Sequence, residues 1–349
     1  MEQLKHLLQE HYAAHPAMTV RDGAKFLHQH HMGPGHLIPD EGVGLARLEE
    51  EWRQFPPDPD APLFEELGND LCRLNLAGCK ARGLSLAIVH RLFTATARDI
   101  SPDPSGLEQT LDLLYTLPFE GDAVDSFLAE YRASGCPMVR HSPEYRAAYS
   151  PAYRVVRRSW LRLIPVVQAI ENRMAAYPNV RVAIDGPCAS GKSTLGDTLS
   201  RLYRCPLLHM DDFFLRPEQR TPEQLAEPGG NVDHARFQEE VLLPLTHGEA
   251  AHYRPWRCHS GDFGPEVTVF PSPVTIVEGS YSLRPDLREA YHLRIWVEAT
   301  WQARKERILG RGGPGCLARF KELWIPMEDR YFSACKVREC CHLTVSGEV

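Results

Sequence analysis

Eight consecutive residues constrain this chain more than any others: Gly186-Pro187-Cys188-Ala189-Ser190-Gly191-Lys192-Ser193. They follow the strand-like run Val180-Arg181-Val182-Ala183-Ile184-Asp185 and lead into a helix-like stretch at 191–203. A G-x-x-x-x-G-K-S sequence in that setting gives each residue type a task with a polyphosphate. The glycines let the backbone curl so that its N–H groups point inward at phosphate oxygens. The helix adds its positive N-terminal end. The Lys192 ammonium reaches β- and γ-phosphates, and the Ser193 hydroxyl suits Mg²⁺. The alternative is a glycine-rich turn that caps an ordinary helix. The phosphate reading takes Gly186, Ala189, Ser190, Gly191, Lys192, Ser193 and Thr194 as the nucleotide-contacting set.

The loop sits in a half of the chain that alternates strand and helix. Apolar runs at 180–185, 206–210, 274–277, 293–297 and 342–345 are separated by helical patterns at 191–203, 233–247, 300–311 and 320–332. Such alternation predicts an α/β fold, a parallel sheet with helices on both faces. The first half reads as all-α. Leu4, Leu7, Leu8 and Tyr12 fall at helical spacing, Thr19 to Asp22 form an N-terminal cap, and helical patterns recur around 63–78, 84–98, 105–116 and 122–134. The expected division is a helical domain at 1–150, a linker and helix at 151–177, and the phosphate-loop domain at 178–349.

Composition removes several classes. A net charge of −7 over 349 residues gives no basic field for nucleic acid. No apolar run approaches the ~20 residues of a membrane span. The N-terminus lacks a signal peptide's apolar core, so a cytoplasmic location is the default. The ten cysteines then read as reduced thiols. Cys188 fills a small position in the loop and is a candidate point of oxidation or alkylation. Two clusters invite a metal reading: His28, His30, His31 and His36, and Cys335, Cys340, Cys341 and His342. Neither has a diagnostic spacing: the histidines read as solvated or locally hydrogen-bonded, and the cysteines lack a paired C-x-x-C, with Cys341 in a strand-like segment. Between the halves, Tyr145, Tyr149 and Tyr153 are four apart, with Arg146, Arg154, Arg157 and Arg158 interleaved. They read either as an anion-binding surface or as an interdomain joint.

In open α/β sheets ligands sit beyond the carboxyl ends of the strands. Asp211 and Asp212 leave one strand there and Glu278 leaves another. Phosphoryl transfer to an alcohol needs a triphosphate cradle, Mg²⁺ and a carboxylate for the hydroxyl proton, and this edge supplies all three.

The order phosphate loop, His209-Met210-Asp211-Asp212-Phe213-Phe214, Gly230-Asn231-Val232-Asp233-His234, Val277-Glu278-Gly279 resembles the uridine kinase family. That family is related to phosphoribulokinase and the nicotinamide riboside kinases. The resemblance covers residues 178–349 only. It implies ATP and Mg²⁺, with Lys192 and Asp211 catalytic and Asp211 as the base. It implies that Ser193, Glu278 and Asp211 hold the metal, and that Asp233 holds substrate hydroxyls. Arg304, Arg307 and Arg311 fall where the family carries a lid, which makes Arg304 and Arg307 candidate nucleotide contacts. Tyr253, Arg257 and His259 fall near the family's base-recognising segment, with Tyr253 and His259 one residue out of step. The expected activity is phosphorylation of a small-molecule alcohol, a nucleoside or ribosyl-like compound. Homo-oligomers are compatible with it. The alternative is a nucleotide-sensing switch that regulates the helical half.

Overall fold

The computed structural model describes residues 1–34 and 41–348, those of 41–43 by backbone only, so His36 lies outside the described residues. The chain forms two compact units, Met1–Gln168 and Ala169–Val349.

The first unit is mostly helical, but it is built on a three-stranded antiparallel sheet that the helical reading of 63–78 missed. Strands β1 (Phe64–Gly68), β2 (Leu71–Asn75) and β3 (Tyr153–Arg157) lie in that order. Asn69 and Asp70 turn β1 into β2 with φ of 55° and 56°. Both residue types tolerate the left-handed region, which makes a tight hairpin. Leu71, Cys72, Arg73 and Leu74 are all buried, so β2 shows none of the alternation that marks a half-exposed strand. The tyrosine stripe is not one helix. Tyr145 and Tyr149 belong to the helix Pro143–Tyr149, which stops at Ser150 in a left-handed turn, and Tyr153 opens β3. The nearby arginines pair within the unit: Arg154 with Glu51, Arg157 with Asp70, Arg158 with Glu66.

The second unit carries the parallel sheet expected from the alternation. Its strands in chain order are β4 (Val180–Asp185) and β5 (Leu207–His209). Then come the short β6 (Ala251–Tyr253), β7 (Trp256–Arg257), β8 (Asp262–Phe263) and β9 (Val267–Val269). The last three are β10 (Val274–Glu278), β11 (Leu293–Glu298) and β12 (Leu343–Ser346). The sheet runs β12-β11-β4-β10-β5, all parallel, while β6 with β9 and β7 with β8 form separate antiparallel pairs.

The cross-strand neighbours Ala183, Val277 and Leu208 feed one core cluster with Phe213, Phe237 and Tyr331. Parallel pairing brings every carboxyl end to one edge, so Asp185, His209 and Glu278 finish side by side. The helix Trp301–Arg319 follows β11 and bends at Gly312 and Gly313. No described helix is long and apolar enough to cross a membrane.

Candidate active site

The phosphate loop leaves β4 at Asp185. This carboxylate is fully buried and accepts hydrogen bonds from the Gly186 N–H (2.7 Å), the Leu283 N–H (3.1 Å) and the Tyr331 hydroxyl (2.8 Å). Burial pushes it up to about 6, against the opposing pull of Lys192 and its donors. Gly186 has φ +146°, and a Cβ there would stand 2.2 Å from the Val297 carbonyl oxygen. Only glycine fits.

The outer side of the loop is clamped by two helices. Arg304 Nε donates to the Cys188 carbonyl (2.8 Å) and Arg307 Nη1 to the Ala189 carbonyl (3.0 Å). From the helix Ile325–Cys335, Glu328 Oε2 accepts the Cys188 N–H (2.8 Å), and its Oε1 accepts the Ser280 hydroxyl (2.7 Å). Ala189 holds φ +58° without being a glycine, a strained conformation that these contacts hold in place. Lys192 Nζ donates to the carbonyls of Gly186 (2.7 Å) and Pro187 (3.0 Å). Its ammonium therefore spans the loop on neutral acceptors that a phosphate oxygen outcompetes.

Beside the loop, Ser193 Oγ donates to both oxygens of Glu278, at 3.2 and 3.1 Å. His209 Nδ1 lies 2.6 Å from Glu278 Oε1, and this hydrogen bond raises the imidazole above its ordinary value. Asp211 follows on the 3-10 turn Met210–Phe213. It sits low in the cleft yet remains open to solvent through it. The protein around it and the Glu278 charge both push its carboxyl up.

Ser193, Asp211 and Glu278 line one cavity of about 310 Å³. Ala189, Gly191, Lys192, Ser193 and Thr194 form its loop side, and Asp211 and Glu278 its acidic side. Phe214, Tyr281, Phe320 and Trp324 supply aromatic walls. Arg311 also lines it, whereas Arg304 and Arg307 grip the loop from behind. Gly186 and Ser190 shape the loop without lining the cavity.

The expected substrate contacts do not gather here. Asp233 caps the helix His234–Phe237 through the Arg236 N–H (3.1 Å) and accepts from Gln219 (2.8 Å). Tyr253 donates to Asp212 (3.2 Å) rather than facing Asp211. Arg257 and His259 are exposed on the β7–β8 hairpin. Conversely, Glu328 and Asn231 line the cavity unannounced. Asn231 is 3 % exposed and its Nδ2 has no hydrogen-bond partner. Asp185 was within reach of inspection, as the acid that ends the strand before the loop. Glu328 stands 140 residues from its partner Cys188, and no local pattern marks it.

None of the cysteines forms a disulfide. Burial pushes the Cys188 thiol up to about 11, which works against the reactivity its loop position suggested. Cys340 and Cys341 both donate to the Val337 carbonyl, and His30 and His31 bond Leu67 and Thr110. Neither cluster forms a group of three metal-ligating residues among the described residues; His11, His15 and Glu65 do.

The acidic oxygens and the Ser193 hydroxyl are hard donors of the kind Mg²⁺ takes, and the glycine-shaped cradle fits a triphosphate. No family model and no curated protein matches the chain. Among solved structures, a possible uridine kinase from Bacillus stearothermophilus is 16 % identical at a TM-score of 0.40, over 52 % of this chain and 100 % of that one. A putative fructose transport system kinase from a Silicibacter species is 23 % identical at 0.44, over 52 % and 97 %. Shikimate kinase from Aquifex aeolicus is 17 % identical at 0.25, over 49 % and 88 %. At these TM-scores the likenesses carry no weight for what this chain does, and the site rests on its own geometry.

Proposed function

We propose that the second unit transfers the γ-phosphoryl group of ATP to a hydroxyl of a small molecule, a nucleoside or ribosyl-like alcohol. The observation that carries this reading is the placement of Asp211 on the same cavity wall system as Lys192, Ser193 and Glu278. Glu278 already supplies an acid beside Ser193 for the metal, which leaves Asp211 for an acceptor hydroxyl. The aromatic walls favour an acceptor with a flat ring, which a nucleoside has.

In this mechanism the loop N–H groups and Lys192 hold the β- and γ-phosphates and meet the charge that grows on the transferred group. Ser193 and Glu278 are the residues that would hold Mg²⁺, which would supply positive charge against that of the phosphates. Asp211 accepts the proton of the acceptor hydroxyl as its oxygen bonds to phosphorus and the bond to ADP breaks. Burial and the Glu278 charge raise its carboxyl, which makes it a stronger proton acceptor than a free carboxylate. Arg311 adds a cation on the cavity side.

The test is acceptor-dependent ADP release over a panel of nucleosides and sugars. Asp211→Asn should keep ATP binding and lose turnover by roughly 10²–10⁴. Full turnover in that variant removes Asp211 as the base. ADP release that no acceptor stimulates, together with a nucleotide-dependent partner, replaces the kinase with the sensing switch.

A further inference from the structure

The first unit holds its own cavity, about 450 Å³, within the range of small-molecule sites. Its floor includes Arg73 from the central strand β2, which is 1 % exposed. Arg73 Nε donates to Gln29 Oε1 (2.9 Å) and Nη1 donates to His11 Nε2 (2.9 Å). Nη2 is buried with no hydrogen-bond partner. The nearest carboxylate, Glu65, stays 3.7 Å from Nη1 and leans with its other oxygen toward His15 Nε2, at 3.3 Å. A buried guanidinium with an unused nitrogen is costly to keep, and an oxyanion on that edge would complete it.

The walls are rigid and aromatic. Tyr145, Tyr149 and Tyr153 all line the cavity, although they come from two elements. The Tyr153 hydroxyl donates to His141 Nε2 (2.6 Å), and His141 Nδ1 donates to Asp22 (2.8 Å). The His141 ring stacks on Tyr145 at 4.2 Å and 7°. This chain fixes two of the three tyrosines before any ligand arrives.

A metal ion is the competing occupant, because His11, His15 and Glu65 offer ligand atoms within 4.8 Å of one another. Arg73 argues against it. Its Nη1 donates to His11 Nε2, so the ring's proton belongs on Nδ1, the atom that faces Glu65. Metal on Nδ1 would move that proton to Nε2 and set donor against donor. The full positive charge of the guanidinium also repels a cation.

We propose that this cavity binds a small ring-bearing oxyanion, a carboxylate or a phosphate monoester, with its head on Arg73 and its ring against the tyrosines. The proposal is independent of the phosphoryl-transfer reading, since the cavity uses no residue of the phosphate loop.

The test titrates the full-length protein with benzoate and with phenyl phosphate by calorimetry, without nucleotide. Saturable one-to-one binding of at least one probe is expected. Benzoate alone marks a carboxylate site, phenyl phosphate alone a phosphate site, and both mark the shared oxyanion chemistry. Arg73→Gln should weaken binding about tenfold or more. Ala61→Trp, which fills the cavity from another lining position, should abolish it and carries the test if Arg73→Gln fails to fold. Lys192→Ala should leave it unchanged, which separates this cavity from the phosphate loop. Absence of saturable binding by either probe, or equal binding in both cavity variants, overturns the proposal.

Discussion

Two fully buried aspartates, Asp22 in the first unit and Asp185 in the second, end up shifted in opposite directions. Burial raises both. For Asp22 it is outweighed by donors: the His141 imidazole (2.8 Å), the Ser142 hydroxyl (2.6 Å) and N–H (3.0 Å), and the Thr19 N–H (3.0 Å) and hydroxyl (2.9 Å). Asp22 is held well below the ordinary carboxylate range. Asp185 lies under a thicker layer of protein, and its donors and Lys192 do not compensate. The lesson is that a buried acid's charge is decided by the number and quality of its donors, not by exposure alone. Each aspartate supports a cavity: Asp22 through His141 and Tyr153, Asp185 through Gly186.

Among changes that bear on this contrast, Lys192→Ala should have the largest effect. It removes the cation that the proposed mechanism sets against the transferred group, and the charge that partly offsets the burial of Asp185. Turnover measured as ADP release should fall by about 10²–10³, while the first unit keeps its hydrogen-exchange protection. Retained turnover would show that the phosphate loop is not the donor site.

The two aspartates can be compared directly as Asn variants, each followed by hydrogen exchange in its own unit. Asp22→Asn turns one acceptor oxygen into a donor among five donors and should cost about 3 kcal/mol near neutral pH. Because its folded carboxyl is depressed, the native advantage is present above 3.8 and lost as pH falls below it, so the deficit shrinks only in acid. Asp185 has the opposite sign. Its folded carboxyl is raised from 3.8 to about 6, so its contribution is full below 3.8 and lost as pH rises through 6. The deficit of Asp185→Asn should therefore grow as pH falls from 7 to 4, by up to about 3 kcal/mol. Two deficits that move in the same direction would break the comparison.

The contrast also explains what could be read from the sequence. The phosphate loop is legible because its cradle is made by eight contiguous residues, with glycines where a side chain would collide. The parallel sheet is legible from buried runs separated by helices, and Asp211 and Glu278 from where those runs end. In the first unit the polar parts come from distant stretches: Asp22 and His141 are 119 residues apart, Arg73 and His11 62. No local period reports such a meeting. The β1–β2 hairpin was hidden because β2 is buried on both faces, and the turn residues Asn69-Asp70 were its one local sign. Asp233, Tyr253, Arg257 and His259 lie outside the lining of that cavity, since a position in a motif does not fix where a side chain points.

The smallest effect, and the sharpest on the second unit, belongs to Glu328→Gln. Glu328 joins the loop at Cys188, the Ser280 hydroxyl and, at 4.0 Å, the Arg304 guanidinium. Glutamine keeps both neutral hydrogen bonds if its Oε1 takes the Cys188 N–H and its Nε2 donates to Ser280. What it loses is the charge facing Arg304. The loop should loosen by about 1 kcal/mol, seen as an ATP Kd raised about fivefold with kcat little changed. A residue that only positions the loop affects binding in this way. If kcat instead falls about a hundredfold with Kd unchanged, Glu328 acts on the transferred group itself, and the support of the loop rests on Asp185 and the two arginines.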